Sequence, residues 1–249
     1  MKASNLILLG LLAFAAASVA FGVVTSKVGV AGPVELTGER ITRDLDANPL
    51  RHLDLEGPMR VILTAGIPKL SIEGDRAVVA ALEDTDPDPA RLKLDLPDGL
   101  RLPAGEEIVA RIQTPTLETI DLSGSVRVET PAALPFARNA WDVSGNTRLE
   151  LSYADAASLE FDGSGSTNVR LAGRARFVDA EFSGSAGLEA GELQARVVSI
   201  DASGSSTSTV RVDSVLRFAG SGSNVVEYYG SPRVESSNSG SGGVRALGD

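Results

Sequence analysis

The sequence predicts an all-β fold, a right-handed parallel β-helix (β-solenoid) with coils of about 20 residues and a short helix or loop insertion near its N-terminal end. Three observations predict it. Seven Ser-Gly pairs recur from residue 120 onward, with glycines at Gly124, Gly145, Gly165, Gly184, Gly204, Gly222 and Gly240, so the gaps are 21, 20, 19, 20, 18 and 18 residues. A fixed period of that size marks one supersecondary unit stacked on copies of itself. Each copy also alternates apolar and polar residues with period two, as a half-buried strand must. Finally, the period leaves no room for a βαβ crossover but suits one coil of a solenoid, whose neighbours pair in parallel about 4.8 Å apart.

The first copy shows the phase. Ile120, Leu122, Val126 and Val128 share one face with Gly124, and Asp121, Ser123, Ser125, Arg127 and Glu129 share the other. Trp141, Val143, Leu149 and Leu151 repeat that apolar face, followed by Leu159, Phe161, Val169 and Leu171, then Phe182 and Leu188, then Ile200, Val210 and Val212. The Gly124-type glycines are therefore expected to face inward, where a Cβ would collide with the layers above and below.

Strand signals begin well before the repeats. Leu50–Leu55 and Met59–Thr64 flank the turn-prone Glu56-Gly57-Pro58, and Lys69–Gly74, Leu92–Leu96 and Ile108–Ile112 follow. Asp75–Leu82 is the helix candidate: Asp75 caps it, and Val78, Val79 and Leu82 make a one-sided apolar stripe.

The N-terminus carries an export signal or an anchor. Lys2 precedes the uncharged run Leu6–Val24, and Ser18-Val19-Ala20 suits a signal peptidase. The same run is long enough to cross a bilayer uncleaved. Residues 1–25 are thus read as a signal peptide or an N-terminal membrane anchor, 26–49 as a polar linker, and 50–249 as the β-helix domain. On either reading the domain is exported, to the periplasm or the cell surface.

Composition narrows the function. Lys and Arg total 23 against 33 Asp and Glu, a formal charge of −10, which repels nucleic acid and anionic headgroups. No cysteine is present, so disulfides, thiolate metal sites, a Cys nucleophile and a lipidated Cys are all excluded. His52 is the single histidine, so a His-dependent triad or a multi-His metal site would rest on it alone. The Gly-Ser runs at Gly163–Ser166 and Gly220–Ser223 are followed by no Lys and no helix, and so are not phosphate loops. No cofactor or catalytic residue is expected.

The candidate binding surface is a polar ladder. Alignment of the copies stacks Asp121, Asp142, Asp162, Glu181 and Asp201 at one level and Ser123, Ser144, Ser164, Ser183 and Ser203 at the next. Stacked carboxylates repel one another. A calcium ion would relieve that, but the glycine-aspartate nonapeptide of calcium solenoids is absent. The simpler reading is a solvated face with local serine hydrogen bonds, screened by Arg127, Arg148 and Arg170. The alternative is a recognition surface for an envelope polymer, glycan or protein; aromatic anchors are few, with Tyr228 and Tyr229 the nearest.

The order of these parts resembles a known family. Leu53–Leu63, Lys69–Gly74, Leu92–Leu96, Pro115-Thr116-Leu117 leading into Ile120–Ser125, Val225–Pro232 and Ser239-Gly240-Ser241-Gly242 are similar to the putative auto-transporter adhesin head, or GIN, domain family, over roughly residues 50–247. The resemblance implies an exported β-solenoid with an adhesive role and brings no catalytic residues. Many relatives begin with a lipoprotein signal, which this chain cannot use without a cysteine. The expected function is a non-enzymatic envelope or surface interaction domain; the alternative is a polysaccharide lyase or hydrolase on the same scaffold, using ladder carboxylates.

Overall fold

Alternation with period two buries one side chain and exposes the next, and the burial pattern follows it through nearly every strand of a computed structural model of the chain. The structure describes residues 35–45, 47–84, 88–96, 102 and 106–248. The segment read as signal peptide or anchor, residues 1–25, and the first part of the linker lie outside these.

The described residues are nearly all β. In chain order the elements are β1 (Arg40–Leu45), β2 (His52–Glu56), β3 (Met59–Ala65), β4 (Lys69–Asp75), helix α1 (Arg76–Ala81), β5 (Glu83–Asp84), β6 (Arg91–Asp95), β7 (Ile108–Thr114), β8 (Thr119–Ser123), β9 (Ser125–Glu129), β10 (Arg138–Tyr229) and β11 (Arg233–Gly248). They form one open sheet in the order β1-β4-β7-β3-β9-β10-β8-β2-β6-β5, with β11 added on β10.

The helix forms where its cap and stripe place it. Asp75 accepts a hydrogen bond from the Ala77 N–H at 2.8 Å, and Val78, Val79 and Leu82 are buried. A difference appears just before: residues 40–45, read as linker, are strand β1, antiparallel to β4. Only Ile41 and Leu45 of that strand pack on the core, too few apolar residues to print an alternation.

Parallel pairing advances by one sequence period. β8 and β9 pair with the opening of β10 in the registers Asp121↔Asp142 and Arg127↔Arg148, and β11 pairs with its end in the register Arg217↔Glu235. Upstream, β2 joins β6 to β8 and β3 joins β7 to β9, again in parallel. The exceptions are antiparallel and lie in the N-terminal part: β1 on β4, β4 on β7 and β5 on β6.

Inside, the apolar columns of successive copies merge into one core. Trp141 stacks on Phe161 with ring centroids 6.4 Å apart, and its Nε1–H donates to the Tyr153 hydroxyl at 3.1 Å. Burial holds the Tyr153 phenol well above the ordinary tyrosine range.

The repeat glycines do not face this core. Gly124, Gly145, Gly165, Gly184, Gly204 and Gly222 are exposed, at φ between +89° and +117°, and the chain bends at Gly124 between β8 and β9. A Cβ on Gly145 would lie 2.4 Å from the Gly124 carbonyl oxygen, and one on Gly204 would lie 2.3 Å from that of Gly184. Backbone conformation and backbone-on-backbone stacking select glycine here, not a narrow interior. Parity hid this, because burial resumes two residues later, at Val126, Thr147 and Thr167.

Candidate interaction surface

The strand before each bend and the strand after it present different outer faces. The ladder residues lie on the first. Asp54 of β2 pairs in register with Lys93 of β6 and with Asp121 of β8, which pairs with Asp142 of β10. Asp142, Asp162 and Glu181 line one shallow depression with Asp121, and Asp162, Glu181 and Asp201 line the next, with Ser183 and Ser203. The structure therefore brings the predicted carboxylates together as one continuous row.

Asp121 is half-buried, whereas Asp142, Asp162, Glu181 and Asp201 are exposed. Ser123, Ser144 and Ser164 are half-buried beside the bend, and Ser183 and Ser203 are exposed. Ser144 donates weakly to the Leu122 carbonyl at 3.5 Å.

Two residues upstream, Glu160 and Asp179 add a second, shorter acidic row on the same face. Burial, then the neighbouring carboxylates of Asp54 and Asp142, raise the pKa of Asp121 above the aspartate norm, against the pull of Arg91 and His52. Burial, then Asp201 and Glu160, do the same to Asp179, against hydrogen bonds from the Ala180 N–H and the Ser199 hydroxyl. Mutual repulsion is thus felt in both rows.

The screening arginines are elsewhere. Arg127 and Arg148 stack on each other and on Arg60 beyond the bend, on the neighbouring face, and Arg170 there pairs with Glu189. Cations reach the acidic face at its N-terminal end: Arg91 lies 3.3 Å from Asp54 and 4.0 Å from Asp121, and Lys93 lies 3.5 Å from both Asp54 and Asp95. Among the described residues no ion pair forms at Asp142, Asp162, Glu181 or Asp201, and no group of three His, Asp or Glu is arranged to hold a metal ion.

His52 ends the face, its Nδ1 2.6 Å from the Thr119 hydroxyl. Tyr228 and Tyr229 are both half-buried, and the Arg211 guanidinium covers the Tyr229 ring at 4.8 Å. The sequence reading missed Asp54, Glu160 and Asp179. A signal for Asp54 was present, since Leu53-Asp54-Leu55 repeats the phrase Ile120-Asp121-Leu122 without its Ser-Gly pair.

This fold has counterparts. Residues 49–232 match the family model described as putative auto-transporter adhesin, head GIN domain. The chain belongs to that family. Its fold is shared with a crystal structure of a putative adhesin from Bacteroides fragilis, 22% identical, at a TM-score of 0.78 over 85% of this chain and 99% of that one. A putative adhesin from Parabacteroides merdae, 15% identical, superposes at 0.68 over 87% of this GIN chain and 100% of its own. A structure named a putative lipid binding protein, from Parabacteroides distasonis, is 17% identical at 0.60, over 87% and 100% of the two chains. No curated protein matches the chain.

Proposed function

We propose that this GIN chain is a non-enzymatic interaction domain, exported to the periplasm or cell surface, that holds a partner through its carboxylate and serine face. Residues 1–25 direct export as a cleaved signal peptide or remain as a membrane anchor, and a linker that ends before β1 joins them to the domain. The repeats are the coils of a right-handed parallel β-helix. The one-period parallel registers and the glycine line support this reading, and right-handed crossovers are the near-universal choice for parallel strands.

The observation that carries the function is the unpaired, exposed carboxylate row running across successive strands. Acidic side chains held at strand spacing on a rigid sheet complement a partner bearing amines, guanidinium groups or amides at a similar repeat. Envelope proteins and amino-sugar polymers present such groups. Ionic steering of this kind is weakened by salt. Nucleic acid, a polyanion, is repelled.

The enzymatic alternative needs an isolated, desolvated carboxylate in a groove lined by cations. The row is instead exposed and repetitive, and Arg127 and Arg148 line a separate groove on the next face. A lipid reading, suggested by one similar structure's name, has less support. An apolar depression is lined by Leu117 and Phe136, and both are already buried in the core.

The test is binding of the chain to its native envelope fraction, with and without Asp142→Asn, Asp162→Asn and Glu181→Gln together. Binding should fall about tenfold or more in the triple variant and weaken as salt rises. Equal binding by the variant refutes the assignment of the face. Release of soluble saccharide from envelope polysaccharide, abolished by Asp142→Asn, would refute the non-enzymatic reading.

A further inference from the structure

The two ends of the sheet path are β1 and β5, and both are short. β1 has six residues, three of them charged, and β5 has two. Short or charged edges are how β proteins keep an open ladder from pairing with another chain. β11 departs from that practice. It runs sixteen residues, pairs only with β10 among the described residues, and from Ser236 to Val244 carries neither charge nor proline. The layer it forms is also unfinished. Ser236 and Asn238 lie above the buried Phe218 and the small Gly220, and the buried Asn238 Oδ1 has no donor. Val234 and Val244 are only partly buried.

We infer that the outer edge of β11 is an interface for β11 of a second copy of the chain, antiparallel, with a two-fold axis at Gly240. Gly240 stacks on Gly222 but does not share the left-handed φ of the earlier repeat glycines. Charge selects the register. The same axis places Glu235 of each copy opposite Arg245 of the other, both outward, with Arg217 and Glu227 beneath them. A shift of the axis by one residue toward the N-terminus would set Arg233 against Arg245. Inward residues also meet inward residues: Ser236 faces Val244, and Asn238 faces Gly242, as the alternation of an antiparallel pair requires.

The pairing would join two domains end to end and leave both carboxylate faces open, so one assembly presents two binding surfaces. It rests on the register of β11, not on what the carboxylate face binds.

Sedimentation equilibrium of the exported chain, in detergent where the N-terminal segment is retained, measures it. A dimer is expected. Glu235→Lys alone and Arg245→Glu alone should each raise the dimer dissociation constant about tenfold or more, since each sets two like-charged pairs face to face. The two substitutions together should restore dimerisation. Within one chain the double reversal only worsens matters, because Glu235 normally pairs with Arg217 and Arg233, and Arg245 with Glu227. Restoration can therefore come only from contact between copies. An equimolar mixture of Ser239→Cys and Ser241→Cys chains should form a disulfide-linked dimer more readily than either chain alone, because these positions face each other across the axis. A chain that stays monomeric, a double reversal no better than either single, or a cysteine mixture no more reactive than its components overturns the proposal. So does growth past the dimer into filaments.

Discussion

The N-terminal part of the domain, β1 to β7 with α1, and the repeats from β8 onward solve the same packing problem by different means. The first uses large aliphatic side chains inside, mixed parallel and antiparallel pairing, and compensated charge outside. Arg40 and Arg111 share Glu73, and Arg76 pairs with Glu39. In the repeats β8, β9 and β11 all pair with β10 in parallel, glycine backbones stack from one period to the next, and a row of carboxylates is left unpaired. One region closes the end of the sheet; the other exposes a regular surface. Both regions bury apolar side chains, and the second adds backbone repetition.

The largest expected effect tests whether the repeats depend on one continuous core. Leu149 is fully buried and pairs in register with the buried Val128. Leu149→Asp places an unpaired charge there and should cost about 4 kcal/mol or more, enough to remove the cooperative transition of the domain. A thermal melt coincident with that of the parent would break the picture of a single stack.

The glycines sharpen the comparison. Gly38, before β1, has φ +73° and open space where a Cβ would sit, whereas Gly204 has φ +117° and a Cβ there would lie 2.3 Å from the Gly184 oxygen. Gly38→Ala should cost about 1 kcal/mol, the backbone strain alone. Gly204→Ala adds a collision with backbone that neighbouring layers hold in place, and should cost roughly 3 kcal/mol or more. Chemical denaturation of both variants measures the difference. Equal losses would mean that the glycine line is set by conformation only.

How much of this the sequence displayed depends on the kind of interaction. Strands such as Ile120–Glu129 are legible because alternation reports burial directly, and α1 because Asp75, Val78 and Val79 supply both cap and stripe. Asp121 to Asp201 align because a period of about twenty residues converts sequence offset into lateral neighbourhood. β1 is not legible, since its partner β4 is long-range and its burial slight. The outward turn of Gly124 is hidden because glycine has no side chain to break the apolar parity. The assignment of Arg127 and Arg148 to a second face follows from that same bend, so misplacing the glycine also misplaced the countercharges.

The smallest effect concerns pH, where the two regions carry opposite signs. Burial works against the charged form of Asp75, but hydrogen bonds from the Ala77 N–H, from Thr37 and from the Gly38 N–H outweigh it and hold its pKa below the usual 3.8. A depressed carboxyl favours the fold at any pH above its unfolded value, and that contribution is lost as pH falls through the lowered folded value. Asp121 and Asp179 are raised above 3.8, chiefly by burial and then by neighbouring carboxylates. The fold binds their protons more tightly than the unfolded chain does, so they disfavour it at neutral pH, and the penalty is relieved as pH falls through their raised values. Asp121→Asn with Asp179→Asn should therefore raise the melting temperature slightly at pH 7 and flatten its pH dependence just above the normal aspartate range. Asp75→Asn should lower the melting temperature at pH 7 and leave it unchanged below the folded pKa of Asp75, where the parent has lost the same charge. Melting curves from pH 2 to 8 separate the two regions by the sign of their slopes. If the Asp121 and Asp179 variant lost stability at pH 7, the acidic face would owe its ionised state to a bound cation and not to solvent.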